Sequence, residues 1–352
     1  MKNKLSLIIG AIALAAAAGS QAQTAVTDPV GYITCKVAAG NSLSFVAPTL
    51  VNKLEFSGVA SGVTATSITL SGAAPLAANA FAAAVNVAYD AAAPMPGFYV
   101  EVSSGTGEGQ WANITANTTT ALTVDRDLTA AITAGTSTVR IRKHATIGEI
   151  FGATNTAGLK GSDQSATADE VKVLKPVTHA VKSYFFYDDG VNTQWSDLDT
   201  NDAINVSILP DQGIIVHRKT GGANLSFVRV GHVKTGKTTL YASPGLNVLA
   251  TPRAVGDTFT LGNSNLTNAG AQGTRVKGSD QSATADLLRI PQANGALKDF
   301  FFYDDGVNTQ WSDLDTNDAT GEQLTEGEAF ILVRQASAGN LIWTAPAQPI
   351  AP

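Results

Sequence analysis

Apolar positions along this chain fall in short runs, broken by Gly, Asn, Asp or Pro about every dozen residues. That rhythm predicts strands joined by turns. Phe98–Val102, 110–114 and Ala121–Val124 show it well, separated by Gly-rich and Asn-Thr turns. One later stretch invites a short helix: the Ala-rich segment 73–93, confined by Pro75, Pro94 and Pro96. Thr, Ser, Val, Gly and Ala are abundant and charged residues make up only 15%. The expectation is an all-β fold.

The N-terminus departs from this pattern. Lys2 and Lys4 precede an apolar run over 5–18, and Ser20 and Ala22 offer small residues at the −3 and −1 positions of a cleavage site. This predicts a signal peptide over 1–22, too short to span a membrane. The mature chain is expected to be exported to the periplasm, outer surface or medium, with no transmembrane anchor. Losing Lys2 and Lys4 makes the formal charge of −6 two units more negative. Such a chain is a poor electrostatic partner for nucleic acid. Its one cysteine, Cys35, rules out an internal disulfide and reads as a small buried strand residue.

Self-comparison exposes a duplication. "KGSDQSATAD" occurs at Lys160 and again at Lys277; "FFYDDGVNTQWSDLDTNDA" occurs at Phe185 and again at Phe301. "GIIVHRKTGGANLSF" at Gly213 lies over "AFILVRQASAGNLIW" at Ala329. Two homologous β-sandwich or barrel-like domains follow, 23–238 and 239–352. The first is longer because a small β-domain interrupts it at about 54–137. Strands such as "GIIVHR" and "AFILVR" have drifted while staying apolar, whereas the polar segment is unchanged.

"GHVKTGKT", Gly231 to Thr238, matches the nucleotide-binding P-loop pattern. That site needs a helix N-terminus after the loop. "TTLYASPGLNV" follows instead, so "KTGK" reads as a turn between two antiparallel strands and no nucleotide is expected. "GTGEG" at Gly105 likewise reads as a hairpin connection. His144, His179, His217 and His232 lack metal-ligand spacing, and no nucleophile elbow or HExxH helix occurs.

Two constellations remain, both duplicated. Asp197, Asp199 and Asn201 alternate as D-x-D-x-N, repeated as Asp313, Asp315 and Asn317. Oxygen ligands at alternate loop positions suit Ca²⁺, although the EF-hand's glycine and terminal glutamate are missing. The competing reading is an acidic turn. Trp195 and Trp311 suit either an exposed sugar-binding face or a sandwich core.

Taken in order, several segments resemble an uncharacterised paralogous family of exported proteins seen in Verrucomicrobium and its relatives. They are "TDPVGY", "LSFVAPTLV", "GFYVEVSSGTGEGQWANITANTTTALTV", "RIRKHATIGEIFG", "SATADEV", "PDQGIIVHRK", "VKTGKT" and "GLNVLATP". The resemblance implies export and a largely β fold, and carries over no catalytic residue. The expected function is a non-enzymatic cell-surface or envelope protein, structural or adhesive, with a surface partner or its own copies. The alternatives are a carbohydrate-binding module using Trp195 and Trp311, calcium-assisted or not, and an extracellular hydrolase.

Overall fold

The computed structural model describes residues 28–71, 76–253, 259–292 and 295–348. The expected signal peptide lies outside the described residues. Strand accounts for 45% of the chain and helix for 4%, which makes the protein all-β.

In chain order the first strands are β1 (Val30–Val37), β2 (Leu43–Val46), β3 (Leu54–Thr64), β4 (Ser67–Leu70), β5 (Ala84–Asn86) and β6 (Asp90–Met95). Then come β7 (Phe98–Val102), β8 (Trp111–Asn117), β9 (Ala121–Val124), β10 (Thr138–Lys143), β11 (Ala145–Thr146) and the helix α1 (Ile147–Phe151). β12 (Glu170–Leu174), β13 (Val181–Asp188), β14 (Thr193–Asp197), β15 (Ser207–Ile208), β16 (Ile214–His217) and β17 (Leu225–His232) follow. The last are β18 (Thr238–Ala242), β19 (Gly245–Ala250), β20 (Leu287–Pro291), β21 (Leu297–Asp304), β22 (Thr309–Asp313), β23 (Ala329–Arg334) and β24 (Leu341–Ala345).

Alternation does what period two requires. In β1, Ile33, Cys35 and Val37 point inward and are buried, while Tyr32 and Lys36 point out. Burial pushes the Cys35 thiol up to about 12, so it is a packing residue.

Two antiparallel five-stranded sheets run in the same order, β14-β13-β12-β16-β2 and β22-β21-β20-β23-β19. Each accompanies a two-stranded ribbon, β1-β17 and β18-β24. The sheets meet through an apolar layer that includes Phe45 and Leu174 from one and Val248 and Ile331 from the other. Backbone bridges join Val46 to Glu328 and Leu249 to Gln212. Ala47 donates to Gly327 O at 2.9 Å, and Ala250 to Asp211 O at 3.0 Å. These contacts exchange under the sequence alignment of the two halves, so the junction has the self-complementary form of a two-fold interface.

Strands β10-β3-β4-β9-β8-β7 close a six-stranded barrel with its own apolar core. β10 completes it, so the closed unit runs past the expected boundary at 137. The barrel sits on a buried charged seat. Asp28 pairs with Arg142 and, at 3.1 Å, with Arg140; Lys234 pairs with Glu101 at 2.8 Å. Trp111 of β8 reaches the other side, donating from Nε1 to Thr239 O at 3.1 Å.

Two expectations about local structure change. The described part of 73–93 forms no helix; it enters the β5-β6 hairpin, whose strand alanines face solvent while Ala88 in its turn is buried. "KTGK" joins β17 to β18, which belong to different ribbons rather than one antiparallel pair. Its turn instead rests on the barrel, with Lys237 N donating to Glu108 Oε1 at 3.2 Å. "GTGEG" does join the paired strands β7 and β8. Among the described residues no helix is long and apolar enough to cross a membrane.

Candidate functional site

The repeated nineteen-residue text forms the same hairpin twice, β13-β14 and β21-β22, with Phe186 opposite Trp195 and Phe302 opposite Trp311. Both tryptophans lie inside. Trp195 is 0% exposed, packs on Phe151 and Phe186, and donates Nε1–H to Gly152 O at 2.8 Å. Trp311 packs on Phe302 and donates to Leu266 O at 2.8 Å. With rings enclosed and donors engaged, neither offers a face to a sugar. Of the two readings open for Trp195 and Trp311, a sugar-binding face or a sealed core, the structure has the core.

The alternating acidic residues likewise serve the chain. Asp197 Oδ1 accepts from the backbone N–H of Asp199 (2.9 Å) and Asn201 (2.8 Å), and its Oδ2 from Asn201 Nδ2 (2.9 Å). Asp313 accepts from Asp315, Asn317 and the Asn317 amide in the same way. These hydrogen bonds hold the Asp313 carboxyl below the usual range, the Asn317 side chain most of all. Asp199 and Asp315 are exposed. Among the described residues no three His, Cys, Asp or Glu side chains converge as a cation site. The bonds observed are those of an Asx turn, the competing reading of Asp197, Asp199 and Asn201 and of Asp313, Asp315 and Asn317. The turn puts Thr200 at φ 66° and Thr316 at φ 63°, a left-handed conformation that β-branched residues resist.

The tip of each hairpin follows the same principle. Asp189 accepts from the N–H of Asn192 and Val191, which brings its carboxyl down to about 2, and Asp305 repeats this with Asn308 and Val307. At the summit Val191 and Val307 are each 87% exposed.

Sequence reading missed the residues that anchor the other repeated segment. The last aspartate of "KGSDQSATAD" forms a buried ion pair in each half: Asp169 with Arg218 at 2.9 Å, Asp286 with Arg334 at 2.6 Å. Each carboxylate also accepts the backbone N–H at the start of its loop, Lys160 at 2.6 Å and Lys277 at 2.8 Å. The signal was present, since Arg218 and Arg334 align in strands that otherwise drifted. The loop then lies against the hairpin: Ser162 N donates to Phe186 O and Asp188 N to Ser162 O. The two unchanged segments are thus one contiguous unit, present twice.

A separate cleft of about 580 Å³ opens where the barrel meets both sheets. Arg126, just after β9, lies over the Tyr241 ring at 3.4 Å and the Trp111 ring at 4.7 Å, and donates to Trp111 O at 2.8 Å. Tyr241 N donates to Asp211 Oδ2 at 3.0 Å. Burial pushes the Asp211 carboxyl up to about 6, against the opposing pull of Arg126. His179 Nε2 and Ser243 Oγ meet at 2.8 Å on another wall. Perturbed carboxyls in clefts mark candidate sites, and sequence order gives no hint of this one because its walls come from distant strands. No family model matches the chain, and no curated protein or solved structure matches it.

Proposed function

We propose that the chain is an exported, non-enzymatic surface or envelope protein that works as a two-headed connector. In this reading the signal peptide at 1–22 is removed, 23–238 and 239–352 are repeat domains, and each presents the same outer unit. One observation carries it. The unchanged hairpins expose identical apolar and acidic side chains, with Val191 and Val307 each 87% and Leu198 and Leu314 55% and 52% exposed. Packing does not require exposed text to stay fixed while buried strands drift. β14 and β22 also lie at the opposite edges of their sheets from β2 and β19, the strands that bridge the halves, so both units face away from the junction.

Two linked heads gain avidity of about 10²–10⁴ over one. Attachment of the mature protein to cell-envelope preparations tests this. Val191→Asp with Leu198→Asp disables one head; adding Val307→Asp and Leu314→Asp disables both. One disabled head should weaken attachment by about a hundredfold, and two should abolish it. A folded four-site variant that attaches like the parent overturns the proposal.

A further inference from the structure

We propose that the cleft between the barrel and the two sheets binds a neutral oligosaccharide. This is independent of the two-headed reading, since none of the cleft residues belongs to the repeated hairpins.

The shape comes first. A cleft of about 580 Å³ falls within the range of small-ligand sites, and its walls come from three packed units. The walls are also held. Tyr241 of β18 links Asp211, before β16, to Trp111 of the barrel: its N–H donates to Asp211 Oδ2, and its hydroxyl lies 3.2 Å from both Trp111 N and Trp111 O. Asn247 fixes the opposite rim by accepting from Ser243 N and donating to the carbonyls of Ser243 and Gly245.

The chemistry selects the ligand class. Cationic Arg126 and Lys175 are set against Asp125, Asp127 and Asp211, and Lys175 already pairs with Asp90, so no strong field of one sign favours a charged ligand. Aromatic stacking is disfavoured: the guanidinium of Arg126 covers the Tyr241 ring, Trp111 is buried, and Lys175 Nζ stands over the Tyr89 ring at 5.5 Å. A flat base or nucleotide therefore finds neither a stacking face nor a free anion site. What remains is planar polar groups beside aliphatic surface. The side chains of Gln110, half-buried, and Asn340, exposed, line the cleft and make no hydrogen bond among the described residues. Leu246 and Ile342 stand 39% and 37% exposed in the same cleft. Amides can both donate to and accept from neighbouring hydroxyls, while the C–H face of a pyranose packs on aliphatic side chains.

Calorimetry with the mature full-length protein tests this against neutral cello-, xylo-, manno-, galacto- and chito-oligosaccharides, with oligouronates as the charged arm. At least one neutral series should bind saturably, equally well in about 0.05 M and about 0.5 M salt. Gln110→Ala with Asn340→Ala should weaken that binding about tenfold or more, with an unchanged melting temperature. Val191→Asp with Val307→Asp should leave it intact. No saturable binding at about 10 mM sugar overturns the proposal. So does binding confined to oligouronates and lost in salt, or binding indifferent to the Gln110 and Asn340 substitutions.

Discussion

Arg334 and Asp286 face each other with 1% of either side chain exposed, Nη1 to Oδ2 at 2.6 Å. Arg334 also donates to the carbonyls of Gly339 and Ala338, and Asp286 accepts from the N–H of Lys277 and Gln335. This pair ties the repeated loop to β23 and to the turn after it. A buried charge is tolerated only with such partners.

Asp286→Ala therefore strands a buried guanidinium and two backbone donors. The expected loss is about 3–5 kcal/mol in urea unfolding. Asp315→Ala, at an exposed position of the equally unchanged hairpin, should stay within about 0.5 kcal/mol. Equal losses at the two sites would show that the buried pair is not the anchor.

Thr200 and Thr316 hold left-handed backbone that glycine adopts without cost to a Cβ. Thr200→Gly and Thr316→Gly should each stabilise the protein by about 0.5–1 kcal/mol, despite the added freedom of the unfolded chain. Chemical denaturation reads this directly. A clear destabilisation in both would mean that the threonine side chains stabilise the turn by more than its strain costs.

Two buried groups give stability opposite slopes with pH. Burial pushes His144, 1% exposed against Tyr99, down to about 3, so the unfolded chain takes up its proton first. This contribution is intact above pH ~6.5 and falls by about 1.4 kcal/mol per unit as pH drops toward 3. Asp211, raised to about 6, behaves in reverse: its contribution is full below pH ~3.9 and lost as pH rises through 6. Asp211→Asn should thus raise stability at pH 7.5 relative to the parent and lose that advantage at pH 4, as denaturation midpoints at the two pH values would show. The same advantage at both would refute the assignment.

Calcium should leave the melting temperature unchanged between millimolar ion and excess chelator. The Asp197 and Asp313 carboxylates already accept three N–H bonds each, and a ligand must bind the native state to raise its stability. A rise of several degrees would restore the ion-loop reading of these residues.

Much of the architecture is legible in one dimension because alternation is a local property. The residues of β1 declare which side is buried, and the spacing of Gly, Asn and Pro marks where strands stop. Partner strands are not local. Whether β18 pairs with β17 or with β24 depends on segments about a hundred residues apart, and the turn at "KTGK" suits either. The same holds for the Ala-rich segment, whose weak helix preference loses to pairing in the β5-β6 hairpin.

The sequence by itself determined the all-β class, the unchanged duplicated text and the strand alternation that buries Cys35. Only the tertiary structure decided what the duplicated residues do. Aromatic rings beside aspartates and asparagines suit a sugar face, an ion loop or a sealed core. What separates these is where each polar atom finds its partner. Trp195 finds Gly152 O, 43 residues away, and Asp197 finds backbone N–H groups within its own turn. The cleft that remains open is lined by side chains whose nearness arises only when the barrel docks on both sheets.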